Sequence, residues 1–373
     1  MSEIPFTEAE AREVLGPFTG PMFCSTLTHN PQNGVTAGVW NVTAGDHEAV
    51  LKILTRRKET SQTQWAASDD PRHWNYWRRE AHVYESGLAQ LWRPYGIRAP
   101  RLLACVERGD GDVALWLEPL RGRPATAWRI RSHAAHARRL GAAQGAVGET
   151  ADQPWLSRGF LREYVGSKSL GQELLDDDGA WQQPLVRDHF TPGLRDDMVR
   201  LHHDREWFLG IMETLPRAFS HLDHWPANVR SSGRHSALFD WAFTGDGALG
   251  EDIGNYIPDA FFDLFLPAAR LPELASTVYE AYVVGLREGG WRGDERLVRL
   301  GVCASAVKYD WITGLMLARA SEEQHVGYGG AEAVSPELLY RERGLVLAFL
   351  AGWAAEAREL APLVGFGGAP SGS

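Results

Sequence analysis

Apolar residues change their spacing part-way along the chain. In the first third they alternate with polar residues at a period of two, as on strands whose faces differ. Beyond Ala127 the period is close to that of a helix. Met22 to His29 and Gly38 to Ala44 read as strands flanking Asn30-Pro-Gln-Asn-Gly-Val-Thr-Ala37, and Glu48 to Leu54 reads as a third, with Lys52 on one face beside Val50 and Leu54. Trp77, Ala81, Tyr84 and Leu88 make a helical stripe within Trp74 to Leu91, and Glu80 lies on it. Arg101 to Val106 and Val113 to Glu118 form a hairpin about Arg108-Gly-Asp-Gly-Asp112.

Ile130, Ala134, Ala137, Leu140 and Ala143 open the helical part. Gly145 to Leu194 reads as loops between short helices, and further helices are expected over Thr277 to Glu288, Arg296 to Arg319 and Pro336 to Leu360. Between these groups, Val229 leads into a turn at Ser231-Ser-Gly-Arg-His235, and Ala237-Leu-Phe239 forms a short strand. That hairpin brings Asp240 back beside Asn228. The pattern implies an α+β fold.

With 373 residues, 44% hydrophobic and 23% charged, the chain has enough material for two lobes with cores. A net charge of −10 argues against nucleic acid as a partner. No apolar stretch reaches membrane-span length, Asp259 to Leu271 being interrupted by Asp263 and Pro267. Three scattered cysteines and an acidic start without an apolar core lead to the cytoplasm as the expected compartment. Lysine is scarce: Lys52, Lys58, Lys168 and Lys308 are the four. A half-buried lysine on a strand wants an anionic partner, and a lone glutamate on a core-facing stripe wants a cationic one. The alternative is an exposed lysine and a rim glutamate. Gly34 and Gly38 permit close backbone approach, and the loop around them is a candidate for binding nucleotide phosphates.

The chemistry concentrates in His221-Leu-Asp-His-Trp-Pro-Ala-Asn228 and in Asp240-Trp241. Moving a γ-phosphoryl group requires a carboxylate to orient and deprotonate the attacking hydroxyl, and oxygen ligands for the Mg²⁺ that neutralises the phosphates. Asp223 supplies the first, Asn228 and Asp240 the second. His221 is expected to brace the loop. His224 and the pair His202-His203 are read as polar surface or cleft residues, since no second ligand cluster accompanies them. Trp225 and Trp241 are expected to line the cleft and to stack on substrate.

This run resembles the aminoglycoside phosphotransferase and choline kinase family, small-molecule kinases whose catalytic loop reads roughly His-Gly-Asp-x-x-x-x-Asn, with a later Asp-Trp. Leu222 and Ala227 replace glycines of that pattern, and Ala242 stands where an acid commonly follows Asp-Trp. Leu222 is expected to tighten the loop and reshape the substrate entrance. The resemblance implies a bilobal protein-kinase-like fold, with a small antiparallel-sheet lobe over 1–120, a mainly helical lobe over 121–364 and a disordered tail over 365–373. It implies ATP and Mg²⁺ as cofactors, Lys52 on the nucleotide phosphates oriented by Glu80, backbone groups of Glu118 and Leu120 at the adenine, and Asp252 bracing the loop through its amides.

The implied activity is ATP-dependent transfer to a hydroxyl of a small molecule. An alanine-, arginine- and glycine-rich composition leans toward an aminoglycoside, nucleoside or peptide antibiotic, over a metabolic sugar or amino sugar. A protein kinase is disfavoured by leucine before Asp223 and by the lack of Ala-Pro-Glu after Asp240. A non-catalytic nucleotide-binding scaffold is the remaining alternative. The 21-residue link from Thr55 to Asn75, carrying Trp65 and Trp74, is a candidate flap, although most of the 15 tryptophans are expected to be core.

Overall fold

The alternating segments become strands: β1 (Met22–Thr26), β2 (Thr36–Ala44), β3 (His47–Leu54), β4 (Ile97–Arg98), β5 (Leu102–Glu107) and β6 (Val113–Leu117). This computed structural model describes residues 5–58, 65–150, 153–322, 325–326 and 333–367. All but β4 form one antiparallel sheet in the order β1-β2-β3-β6-β5. Lys52 stands opposite Val39 and Leu115, whereas Leu51 stands opposite Trp40 and Trp116. Alternation therefore sends Val50, Lys52, Leu115 and Leu117 to one face and Ala49, Leu51, Ile53 and Trp116 to the other. The second face is covered by Phe6, Phe18 and Ala11 of α1 (Glu8–Leu15), a helix capped by the Thr7 hydroxyl. The Lys52 face joins the main core, which continues into the helical part.

The stripe around Glu80 yields a much shorter helix than its periodicity predicts: α2 spans Arg79–Glu85 and ends before Gly87, whose φ is 79°. Upstream, the fully buried guanidinium of Arg79 collects the carbonyls of Pro71, His73, Trp74, Trp155 and Ala242. Carbonyls bound to Arg79 are not building helical turns, so residues 71–78 fold as turns around it.

The helical part comprises α3 (Ile130–Val147), α4 (Phe160–Gly166), α5 (Asp178–Trp181), α6 (Pro184–His189), α7 (Leu194–His203), α8 (Arg205–Thr214), α9 (Glu251–Phe262), α10 (Leu271–Glu288), α11 (Glu295–Ala304), α12 (Asp310–Arg319) and α13 (Pro336–Leu363). Helices α3 and α10 meet backbone to backbone: a Cβ on Gly141 would stand 2.1 Å from Tyr282 O, and one on Gly285 2.0 Å from Arg138 O. The single helix expected over Arg296 to Arg319 breaks into α11 and α12 around a tight turn at Ser305–Tyr309. There Ser305 Oγ returns to Val302 O at 2.6 Å, and Tyr309 Oη holds Asn255 O on α9 at 3.0 Å.

The tail expected to be disordered begins in order. Phe366 N donates to Ala361 O, and Gly367 O accepts Trp207 Nε1. Residues 368–373, like 59–64 of the long link, lie outside the described residues. Trp74 of that link and Trp77 just after it are core residues, and Trp65 packs against Trp74 and Tyr164.

Four short strands carry the chemistry between the helices. β7 (Arg217–Ser220) pairs with β10 (Gly245–Ala248), and β8 (Val229–Ser232) forms a hairpin with β9 (His235–Leu238). β4 runs parallel to β9, so this hairpin is bonded to the segment just before β5.

Candidate active site

β7 delivers the loop that begins at His221, and Asp252 in the first turn of α9 shapes it. Asp252 Oδ2 accepts His221 N at 3.0 Å and Oδ1 accepts Leu222 N at 2.9 Å. Gln144 Nε2 adds a third bond at 3.0 Å and is itself held by Tyr282. Asp252 thus has the bracing place expected of it. Leu222 adopts φ 63°, a left-handed conformation that glycine takes without cost. Its side chain is fully buried, so it does not reshape the entrance: a Cβ on Gly247 would meet Leu222 Cδ2 at 2.9 Å.

Asp223 follows, half-buried, and Asn228 Nδ2 donates to both its backbone oxygen and its Oδ2 at 3.0 Å. Burial, and then the charge of Asp240, push the Asp223 carboxyl up to about 6. A carboxylate at that value can still accept a proton near neutral pH.

Asp240 lies just beyond β9 at φ 64°, a conformation aspartate tolerates better than most residues. Its side chain is 40% exposed, and Oδ1 lies 2.7 Å from Lys52 Nζ. Lys52 also contacts Glu80 Oε2 at 2.5 Å, and Glu80 Oε1 accepts Trp241 N at 3.2 Å. Burial alone would lower the Lys52 pKa, but Asp240 and Glu80 outweigh it and keep the ammonium charged. Burial would likewise raise Asp240, and Lys52 reverses the shift. The paired reading of Lys52 and Glu80 is therefore the observed one, and the exposed alternative is not.

The donor set suits a cation. Asp240 offers a partly exposed carboxylate, and Asn228, by turning Nδ2 to Asp223, points Oδ1 elsewhere. Among the described residues no group of three or more His, Cys, Asp or Glu could hold an ion. One carboxylate and one amide, completed by phosphate oxygens and water, give an all-oxygen set of the kind that suits a hard divalent cation.

Other expected residues fall elsewhere. Gly34 N donates to Trp65 O at 2.8 Å, and the glycine is required because residues 65–67 pass directly over it; its amide is not free for phosphate. Gly38 makes room for the Trp40 ring on the sheet face away from Lys52. Trp241 is fully buried against Phe219, Trp92 and His221, with Nε1 on Leu238 O, and cannot stack on a substrate. Trp225 is half-buried beside Phe265. Glu118 turns its side chain to Arg98 and Arg101 and donates its N–H to Arg101 O. Its amide is thus engaged within the sheet, and Leu120 is half-buried two residues on.

The histidines are more deeply placed than expected. His221 is buried with Nε2 3.1 Å from Phe239 O, and burial lowers it to about 4, so it braces the loop as a neutral ring. His224 is fully buried instead of lining the cleft: Nδ1 lies 3.2 Å from Asp252 O and Nε2 2.8 Å from His136 Nε2 on α3. His202 pairs with Asp310 at 3.0 Å, and His203 is largely exposed. His133, His136 and Arg79 went unnoticed in the sequence because a buried polar side chain looks like an exposed one in a hydropathy pattern. For Lys168 and Lys308 there was a signal, the scarcity of lysine.

No protein-family model matches the chain, and no curated protein matches it. Its fold nevertheless matches solved structures. An aminoglycoside phosphotransferase from Alicyclobacillus acidocaldarius superposes with a TM-score of 0.54 at 14% identity, covering 96% of this chain and 98% of that one. An amicoumacin kinase in complex with AMP-PNP, Ca²⁺ and Ami gives 0.53 at 14% identity, over 92% and 94%. A microcompartment-associated aminopropanol kinase gives 0.53 at 13% identity, over 94% and 97%. The chain has the fold of these small-molecule kinases: an antiparallel sheet above a mainly helical part, as the resemblance implied. Among the described residues no helix is long and apolar enough to cross a membrane.

Proposed function

We propose that the chain transfers the γ-phosphoryl group of ATP to a hydroxyl of a small molecule. The reading is carried by one observation: Lys52, Glu80 and Asp240 form a single bonded group, and Asp223 is bonded to Asn228 on the hairpin that leads to Asp240. Lys52, held charged between two carboxylates, neutralises nucleotide phosphate. Asp223 accepts the hydroxyl proton or fixes its direction, and Asn228 sets the carboxylate's orientation. Asp240 and Asn228 would hold Mg²⁺, which would neutralise the phosphates when bound. Positioning and electrostatics supply most of the catalysis.

The adenine enters below Val50 and Leu117, on the sheet face shared with Lys52, and meets the backbone near Glu118 and Leu120. The boundary between the lobes falls in that segment. Solved structures of this fold include an aminoglycoside phosphotransferase and an amicoumacin kinase, which supports a natural-product or antibiotic hydroxyl as acceptor. ATP consumption screened across aminoglycosides, nucleoside and peptide antibiotics and sugars, with product mass measured, tests the proposal. A mass gain of one phosphoryl group is expected. Binding of MgATP without turnover of any acceptor would favour the non-catalytic scaffold.

A further inference from the structure

Arg79 opens α2, next to Glu80, and its side chain is fully buried. A guanidinium has five N–H groups, and here each meets a backbone carbonyl. Nε donates to Trp155 O at 2.7 Å, Nη1 to Trp74 O at 2.8 Å and Ala242 O at 3.1 Å, and Nη2 to His73 O at 2.6 Å and Pro71 O at 3.1 Å. A counter-charge acts through one of these peptides. The peptide unit that joins His73 to Trp74 gives its oxygen to Arg79 and its N–H to Glu163 Oε2, at 2.6 Å. Burial lowers Arg79 to about 10, so it stays charged at neutral pH.

Two of the five acceptors reach the phosphate end of the site. Ala242 is the second residue after Asp240, and Trp241, between them, donates its N–H to Glu80 Oε1 at 3.2 Å. Two adjacent residues at the start of α2 therefore clasp two adjacent residues after Asp240, one by an amide and one by a carbonyl. Trp155 precedes a stretch bonded to the same segment: Ser157 N donates to Thr244 O, and Ser157 O accepts Asp246 N. Asp240 itself sits at φ 64°, outside the regions an L-residue prefers, so its direction depends on what holds its neighbours. Asn228 O holds Phe239 N before it, and Glu80 and Arg79 hold the two residues that follow. Lysine has three donors and no planar fork, so it could not serve these five carbonyls together.

We propose that Arg79 is a positioning residue for phosphotransfer, keeping Asp240 and the Lys52–Glu80 pair in register before nucleotide binds. This rests on the kinase reading of the site and adds that α2 is latched to the helical part, so that the site assembles without a nucleotide-driven shift of α2.

AMP-PNP affinity measured calorimetrically with and without Mg²⁺, for the wild type, Arg79→Lys and Arg358→Lys, tests this. Arg358 is the control, a part-buried arginine on α13 bonded to Asp204 at 2.9 Å. Arg79→Lys is expected to cut the Mg²⁺ enhancement about 10- to 100-fold, the loss typical when a group that orients a metal ligand is removed, and to leave the Mg²⁺-free affinity near wild type. A purely structural role would lower the number of binding sites per chain and leave the affinity of each unchanged. Hydrogen exchange on the wild type needs no variant. Residues 79–82 and 241–244 are expected to be protected in the free protein and to gain little from AMP-PNP with Mg²⁺.

The proposal falls if the wild type binds AMP-PNP without any Mg²⁺ enhancement, if Arg79→Lys keeps the full enhancement, if Arg358→Lys loses as much of it, or if the two segments become protected only with nucleotide. Should Arg79→Lys not fold, the exchange result decides. Failure of the kinase reading shows separately, as wild-type protein that binds AMP-PNP neither with Mg²⁺ nor without it.

Discussion

Glu80 accepts the backbone N–H of Trp241 at 3.2 Å while its other carboxylate oxygen lies 2.5 Å from Lys52 Nζ. One buried side chain on α2 thus fixes both the lysine on β3 and the residue that follows Asp240. Positioning of Lys52 and of Asp240 is shared through it.

Lys52→Ala is expected to lower turnover by about 10²–10³, the loss seen when one preorganised charge-stabilising donor is removed. Glu80→Ala should act through the same group, so the double variant loses less than the sum of the single losses in free energy, with a coupling of about 0.5–3 kcal/mol. A double-mutant cycle on turnover at saturating ATP checks this. Additive losses would show two independent residues.

Asp223→Asn is expected to lose about 10²–10⁴ of turnover while keeping nucleotide affinity. In the wild type the charged base is present above pH of about 6 and is lost as pH falls through that value. Because the folded pKa is raised, the same charge costs stability as pH rises through that range. Asp223→Asn should therefore melt at the wild-type temperature or above it at neutral pH. A pH–rate profile and a thermal melt make the two measurements, and a flat acid limb removes Asp223 as the base.

Asp240→Ala should abolish most Mg²⁺-dependent ATP affinity and leave the fold intact, because Lys52 keeps Glu80 as its partner. In the variant, affinities measured calorimetrically with and without Mg²⁺ should become nearly equal. An unchanged Mg²⁺ enhancement would locate the cation elsewhere.

Asp252→Ala leaves the buried amides of His221 and Leu222 without their acceptor, at about 1–3 kcal/mol each. Denaturant unfolding should show the loss, and hydrogen exchange should show it concentrated in residues 221–228. Uniform exchange across the chain would argue against a local brace.

Leu222→Gly separates two opposed effects. Glycine removes about 1–2 kcal/mol of left-handed strain, whereas emptying a buried leucine site costs about 2–5 kcal/mol. Packing should win and the variant should be less stable. A more stable variant would mean that the site collapses around the missing side chain.

Legibility in the sequence followed locality. The sheet strands were readable because alternation is a local property, and Asp223, Asn228 and Asp240 because a loop and a short hairpin join them. Pairing of Lys52 with Glu80 was legible from the family resemblance together with cost, since neither charge tolerates burial by itself. Misplaced residues were those whose surroundings come from distant segments. Trp241 follows Asp240 and looked like a cleft residue, yet Phe219 and Trp92 close over it. Gly34 looked like a phosphate-loop glycine, and the strand of chain at Trp65 takes its amide.

By itself the sequence determined the α+β class, the loop and hairpin of the site, and the need for an anion near Lys52, because periodicity and short spacing survive without knowledge of distant contacts. Only the tertiary structure decided that α2 is seven residues long, that His224 is buried, and that Lys168 and Lys308 meet beside Tyr164. Arg79 gathers carbonyls from three separate segments, and Ser305 and Tyr309 break a helix whose periodicity continues. The bonds of Arg79 to Trp155 and Ala242 and of Tyr309 to Asn255 join residues far apart in the chain, and hydrogen bonding across such separations outweighs local helical preference.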